Sequence, residues 1–410
     1  MGKKLLVAQS GGPTSAINAT LAGVIEAAIR NPEVSDVLGA RYGIQGVLRE
    51  QFLDLSGIEH IEDMLATLAV TPAAALGSCR FKLKDPAQDP SEFEELIRIF
   101  QKHEIGYFVY IGGNDSMDTV WKLSDYIKEH HIPDIVVVGA PKTIDNDLYG
   151  IDHCPGFGSA AKYIATSISE LERELEVYDT PYVIVVEMMG RNAGWLTAAA
   201  ALAESANSNV PYLIYLEERP FDLNDFISDL RGELEVGKDV IVAISEGIRD
   251  RSGKMICDYA DRDQSTDAFG HTIATGAGKV LENAIRSNIG CKVRYIELNL
   301  LQRCAGHLLS ETDITESTEL GRNAVRLAVD GQNGVMSTLT RTSNHPYSVA
   351  YGAADIADIA DREKKVPDSW ITSEGNGVTE EMLEYLRPLV QGERSCKFEN
   401  GIPKYVVFDK

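Results

Sequence analysis

Short apolar runs recur along the chain, each followed by a glycine- or proline-bearing turn and then by apolar positions at helical spacing. The first, residues 4–8 (KLLVA), leads through Gly11-Gly12-Pro13-Thr14 into a helical pattern over 17–30. Residues 107–111 (YFVYI) and 134–139 (DIVVVG) read as buried parallel strands. Residues 91–103 read as a helix in which Ser91 and Glu94 have capping-box spacing. After Pro155-Gly156-Phe157-Gly158 comes a helix over about 159–176, and then the alternation restarts. Strands are predicted at 182–187, 211–216, 239–245 and 292–298, with helices near 193–204, 223–235 and 275–287. The tail, with Pro367, Pro388 and Glu374-Gly375-Asn376-Gly377, reads as turns and one helix over 380–385. Such alternation predicts an α/β fold of doubly wound, Rossmann-like parallel sheets with helices on both faces. The restart near residue 156 predicts a second unit of the same kind, and without a low-complexity linker the two should share a cleft.

Composition narrows the class. With 410 residues there is room for two ordinary domains, and 44% apolar with 25% charged residues is the balance of a soluble globular enzyme. No run approaches the roughly 18 apolar residues of a membrane span. The apolar start at 5–8 is too short for a secretory signal, and Leu6 does not fit a myristoylation motif. Six scattered cysteines without a CxxC pair suggest neither a zinc site nor a disulfide framework, and point to a reducing cytoplasm. The net charge of −23 argues against nucleic acid and anionic membrane as partners. It also requires that any phosphate-bearing substrate be held by arginines and lysines close at hand.

Two stretches at predicted strand ends carry the candidate chemistry: Gly112-Gly113-Asn114-Asp115-Ser116, and Lys142-Thr143-Ile144-Asp145-Asn146-Asp147. Open parallel sheets bind ligands outside the carboxyl ends of their strands, and glycines there let backbone N–H groups close on a phosphate. Gly112-Gly113 alone is also compatible with an ordinary turn, and Asp115 with a helix N-cap. Asp145 and Asp147 flanking an amide, three residues beyond a lysine, are costly to keep together unless a cation or substrate uses them. The chemistry these stretches suggest is phosphoryl transfer.

Further motifs in order extend the pattern: Ser10-Gly11-Gly12 with Asn18, Leu76-Gly77-Ser78 with Arg80, Met189-Gly190-Arg191-Asn192-Ala193-Gly194, Ser245-Glu246-Gly247, Arg294, and Gln302-Arg303. Together with the two stretches above they make the chain, from about residue 5 to 393, resemble the phosphofructokinases, and more closely their pyrophosphate-dependent branch. The resemblance implies a phosphoryl-donor domain of 1–155 with about 303–350, and a sugar-phosphate domain of about 156–302 with 351–410. It implies Mg²⁺-dependent, reversible transfer between pyrophosphate and the 1-hydroxyl of fructose 6-phosphate, in a cytoplasmic homodimer or homotetramer.

By the same resemblance Asp145 is the base for the 1-hydroxyl, and Lys142 and Arg191 complete the catalytic set. Gly11, Gly12, Arg80, Gly113, Asp115, Ser116 and Lys142 would bind pyrophosphate. Thr143, Met189, Gly190, Arg191, Glu246, Arg294 and Arg303 would bind the sugar phosphate beside Asp145, while Asp147, Asn114 and Asp115 would serve the metal. Lys142 stands where nucleotide-dependent relatives usually have glycine, and Asp115 where they tend to have a second glycine. Both therefore imply pyrophosphate rather than ATP, by supplying charge and by repelling an α-phosphate. ATP as donor, or sedoheptulose 7-phosphate as a further acceptor, are the alternatives. Asn114 in place of a common aspartate, Leu300 in place of histidine or tyrosine, and Tyr182 in place of an arginine depart from the family pattern.

Overall fold

The computed structural model describes residues 2–57, 61–204, 208–260, 276–359 and 362–408. Its strands are β1 (Lys3–Gln9), β2 (Val34–Ala40), β3 (Phe52–Asp54), β4 (Ile105–Gly112), β5 (Val136–Pro141), β6 (Tyr182–Met188), β7 (Tyr212–Tyr215), β8 (Asp239–Ser245), β9 (Lys292–Glu297), β10 (Leu309–Ser310), β11 (Val335–Asn344) and β12 (Tyr347–Asp355), with three two-residue strands, Glu393–Arg394, Phe398–Glu399 and Ile402–Pro403, in the tail. Successive side chains of a strand point to opposite faces. Leu5 and Val7 of β1, with Val109 and Ile111 of β4, therefore enter one core, and Leu6, Ala8, Phe108 and Tyr110 enter another. The first core is closed by the helices Ile17–Ile29, Ile61–Ala69 and Glu311–Val329, the second by Ser91–Lys102 and Asn114–Glu129.

These strands form a seven-stranded sheet in the order β12-β11-β5-β4-β1-β2-β3. Its centre is parallel, as expected from near-continuous apolar runs, but both edges are antiparallel: β3 against β2, and β12 against β11. The edge strands have only half-buried and exposed positions, so they lack the apolar density by which the central strands are read. A second sheet, β7-β8-β6-β9, is parallel throughout. Val183 and Val185 face one core, and Ile184 and Val186 face another, which takes in the helix Phe157–Leu175 and tail residues such as Met382 and Leu386. The architecture is the two-sheet α/β fold with a cleft that the alternation predicts. Among the described residues no helix is long and apolar enough to cross a membrane.

Local differences have local causes. The helix begun at Ser91 has Pro90 at its cap position and no side-chain cap from Ser91, whose N–H and hydroxyl both donate to Asp89 Oδ1 at 3.2 and 2.6 Å. The capping box is thus pre-empted. Asp134 lies outside β5 with φ of 70°, and the helix expected near 193–204 is two short pieces, Trp195–Ala198 and Ala200–Glu204. Thr275, the expected start of the helix that is found at Ala277–Asn288, lies outside the described residues.

The helices Ile17–Ile29 and Glu311–Val329 touch backbone to backbone. A Cβ on Gly23 would meet Thr318 O at 2.0 Å, and one on Gly321 would meet Thr20 O at 2.1 Å. Gly23→Ala is therefore expected to destabilise the protein by about 1–3 kcal/mol through overpacking. Gly232→Ala, in the helix Leu223–Val236 with nothing within 4 Å of the new methyl, should stabilise it by about 0.5–1 kcal/mol. Thermal unfolding of the two variants against the parent checks the opposite signs.

Candidate active site

Strand register brings the turns together. Gln9 pairs with Ile111 and Gly112 with Pro141, so β1, β4 and β5 end level and release Ser10-Gly11-Gly12, Gly113-Asn114 and Lys142-Thr143 at one edge. In the second sheet Met188 pairs with Ser245, so β6 and β8 release Met189-Gly190-Arg191 and Glu246 together. Both edges face one cavity of about 720 Å³. Of the residues expected from sequence, Gly11, Gly12, Arg80, Gly113, Asn114, Asp115, Ser116, Lys142, Thr143, Asp145, Asp147, Met189, Arg191, Glu246 and Arg303 line it.

Two expected residues do not line it. Gly190 has φ of 125° and turns the chain so that Arg191 reaches the cavity; a Cβ there would come within 2.6 Å of Ala193 O. Arg294 is exposed on the outer strand β9, where its side chain hydrogen-bonds Tyr182. Gly247 explains the third member of its motif: a Cβ would lie 2.2 Å from Arg191 O, so only glycine lets the two loops of the second unit pass. Gly112 leaves room in the same way for the hydrogen-bonded Ser10 and Ser116 hydroxyls.

Lys142 is almost fully buried at the meeting of the turns. Its Nζ donates to Gly12 O at 2.6 Å, and its N–H donates to Gly112 O at 2.9 Å. A Cβ on Gly11 would sit 3.2 Å from that Nζ, and one on Gly12 would sit 3.1 Å from an Arg303 guanidinium nitrogen, so the double glycine admits both cations. Burial pushes the Lys142 ammonium down to about 8, against the pull of Asp145. For Asp145, burial and then the neighbouring Asp147 raise the carboxyl to about 7 despite Lys142, Arg303 and Arg191. Burial and the charge of Asp145 raise Glu246 to about 8. Three groups poised near neutrality in one cleft are the mark of acid–base chemistry.

Around Asp145 the chain is tightly turned: its N–H donates to Thr143 Oγ1 at 3.1 Å, and Asn146 is left-handed with φ of 55°. Asn114 Nδ2 donates to Asp147 Oδ2 at 2.9 Å, while Asn114 Oδ1 and Asp147 Oδ1 are buried with no hydrogen-bond partner. Two such oxygens suit a hard cation. Among the described residues no cluster of three or more His, Cys, Asp or Glu could hold a metal, so phosphate and water oxygens must complete any coordination shell. Asp115 is not the helix cap, a place taken by Gly113. Its carboxylate is 83% exposed at the mouth, with Lys82 4.0 Å away.

Lys82 and Glu363 also line the cavity and escape sequence reasoning. Lys82 stands two residues after Arg80, a spacing that gave a signal; Glu363 lies in an irregular segment with none.

The phosphofructokinase family profile matches residues 4–328. The chain is 43% identical over 407 residues to the pyrophosphate–fructose 6-phosphate 1-phosphotransferase of Xanthomonas campestris pv. campestris (strain B100), covering 98% of this chain and 95% of that one. With the enzyme of the same name from Halomonas elongata the identity is 41%, over 97% and 94% of the two chains. The crystal structure of a pyrophosphate-dependent phosphofructokinase from Nitrosospira multiformis superposes with a TM-score of 0.87 at 37% identity, covering 98% and 96%.

A lysine is charged below its pKa, so the cavity holds this cation at neutral pH and loses it as pH rises through about 8. Pyrophosphate binding, followed by calorimetry, should weaken from about pH 8 upward, approaching tenfold per unit. In Lys142→Met the lysine's part of that alkaline limb should be absent, leaving the titrations of the ligand and of Asp145 and Glu246, so the fall per unit should be shallower than in the parent.

Proposed function

The chain belongs to the phosphofructokinase family, and from that premise we propose how it moves a phosphoryl group from pyrophosphate to the 1-hydroxyl of fructose 6-phosphate, giving fructose 1,6-bisphosphate and phosphate. Pyrophosphate lies on the glycine turns of the first unit, 1–155 with about 303–350, against Lys142, Arg80 and the hydroxyl of Ser116. Fructose 6-phosphate lies against the second unit, 156–302 with the tail, with Arg191 of that unit and Arg303 of the first on its phosphate side and Met189 and Glu246 at the ring. Arg294 belongs to sugar-phosphate recognition by family resemblance alone, since it stands apart from the cavity. Glu246, held protonated at neutral pH, donates as well as accepts a hydrogen bond at a sugar hydroxyl.

Asp145 takes the proton of the 1-hydroxyl as the new oxygen–phosphorus bond forms and the bridging bond of pyrophosphate breaks. The leaving phosphate departs with that bond's electron pair. A carboxyl near 7 is matched to this task, and the reverse reaction returns the proton by the same route. Lys142 neutralises charge on the transferring group, a preorganised cation that needs no reorientation. Asp147 and Asn114 would hold Mg²⁺ through the oxygens left unpaired, and the ion would neutralise charge on the phosphate groups. The reaction serves glycolysis and gluconeogenesis in the cytoplasm. Exposed Val177, Tyr178, Leu300 and Leu301 flank the two ends of β9 and offer a surface for a second copy of the chain.

The observation that carries pyrophosphate as donor is the buried Lys142 ammonium, which fills the space between the glycine turns with charge. ATP is disfavoured on the same ground. Asp145→Asn should lower kcat by about 10²–10⁴ while fructose 6-phosphate binds within a few-fold of the parent, because the amide keeps the shape and loses the base. A loss below tenfold removes Asp145 from the role. Asp115→Gly should raise the ratio of kcat/KM for ATP to that for pyrophosphate by about tenfold, equivalent to roughly 1.4 kcal/mol. Steady-state rates with each donor measure it; an unchanged ratio, or a parent that already prefers ATP, overturns the assignment of donor choice.

A further inference from the structure

The dipeptide Glu363-Lys364 comes from the carboxyl-terminal segment, yet it meets both halves of the site. Glu363 forms an isolated antiparallel bridge with Leu148, next to Asp147, and its Oε1 accepts a hydrogen bond from Asn192 Nδ2 at 2.8 Å, next to Arg191. The Lys364 N–H donates to Asp147 O at 2.7 Å, while its own carbonyl accepts from the indole N–H of Trp195 at 2.8 Å. Trp195 is buried and opens the short helix that follows the Arg191 loop.

The Lys364 side chain adds to this hold. An ammonium has three donors. All three go to the turn that carries the paired aspartates: Asp152 O at 2.6 Å, and Ile151 O and Asn146 Oδ1 at 3.2 Å. Asn146 is fully buried between Asp145 and Asp147, and its left-handed backbone persists only where the surroundings over-determine it. Its remaining groups are occupied too. Asn146 Oδ1 also accepts from Cys154 N at 2.9 Å, and Nδ2 donates to the Tyr385 hydroxyl at 2.8 Å, which donates in turn to Asp152 O at 2.8 Å. Two segments of the tail thus grip one loop, and one of them also grips the loop opposite.

We infer that Lys364, with Tyr385 acting through Asn146, is a positioning residue for phosphoryl transfer, fixing the loop of Asp145 and Asp147 against the loop of Arg191. The inference rests on the proposed transfer at Asp145. Neither side chain reaches the reacting atoms, so their removal acts through geometry, where a displacement of about 1 Å can cost on the order of 10²-fold in rate.

Two variants test this in the full chain. Lys364→Met should lower kcat by about 10–100-fold, and Tyr385→Phe, which removes one hydroxyl, by about 3–10-fold, both with KM for fructose 6-phosphate within about twofold of the parent. Without substrate, amide hydrogen exchange across residues 143–156 should quicken in both, while exchange in β1 and β4 stays as in the parent. Should Lys364→Met fail to fold, Tyr385→Phe decides alone. Unchanged loop exchange, a kcat within twofold of the parent, or a loss carried by KM alone overturns the inference. A parent enzyme inactive with pyrophosphate and fructose 6-phosphate would instead overturn the proposed transfer, and the exchange measurement would still report whether the clamp exists.

Discussion

Burying an ammonium is unfavourable unless the surroundings replace the water it loses. Lys142 is almost wholly enclosed, and what replaces water is the carbonyl of Gly12 and the charge of Asp145. The rest of the site follows from that constraint. Glycine at 11 and 12 leaves Lys142 and Arg303 their room, because a Cβ at either would crowd a terminal nitrogen. Asp145 must stay near enough to stabilise the cation, yet it is buried and shares its turn with Asp147, so its carboxyl is pushed up to about 7. A polyanion entering the cavity relieves the lysine, because it supplies negative charge that Asp145, raised to about 7, holds only partly. Substrate binding and completion of the electrostatics are therefore one event.

A constraint of this kind has to be enforced from outside the loops themselves. The two sheets provide the coarse alignment through level strand ends in each. Ile144, between Thr143 and Asp145, packs into the core that also holds Met188, Trp195 and the tail, so the loop of one unit is anchored in the other. Tail residues fasten it further through Lys364 and Tyr385. A cleft between two units is normally a place of relative motion. Here contacts from three parts of the chain converge beneath it, and the least constrained groups are those at the mouth, Asp115 and Lys82, whose side chains are 83% and 62% exposed.

How much of this could be read in advance follows from the same physics. Runs such as VVVG and YVIVVE declare themselves because a strand covered on both faces is apolar at every position. The glycine turns, the paired aspartates and Lys142 declare themselves because their composition is costly for any other purpose. The hairpin of β11 and β12 does not: β12 is only half-covered, the buried start of β11 mixes Met336 and Leu339 with Ser337 and Thr338, and its place beside β5 depends on a pairing between Val335 and Val138 that no local pattern encodes. Glu363 and Lys364 are invisible for a related reason. Two charges in an irregular segment look like solvated surface, and only tertiary contacts, the bridge from Glu363 to Leu148 and the hydrogen bonds of Lys364, bring them to the site. Arg294 is the reverse case, a motif residue that register alone places on an outer strand and away from the cavity.

The net charge of −23 has to be reconciled with two phosphate-bearing ligands. At physiological ionic strength fields are screened over about 8 Å, so charges scattered over the surface act weakly on a ligand already inside the cleft. Lys142, Arg191, Arg303, Arg80 and Lys82 all line the cavity and act at short range, and the buried Lys142 counts for most because water screens it least. The residual acidic field therefore bears mainly on encounter. It does so without favouring a direction, because the reaction shifts one phosphoryl group between two anions and leaves the total charge of the bound pair nearly the same. An acidic surface is thus compatible with a reversible phosphotransferase, and the proposed choice among anions rests on the short-range charges of Lys142 and Asp115.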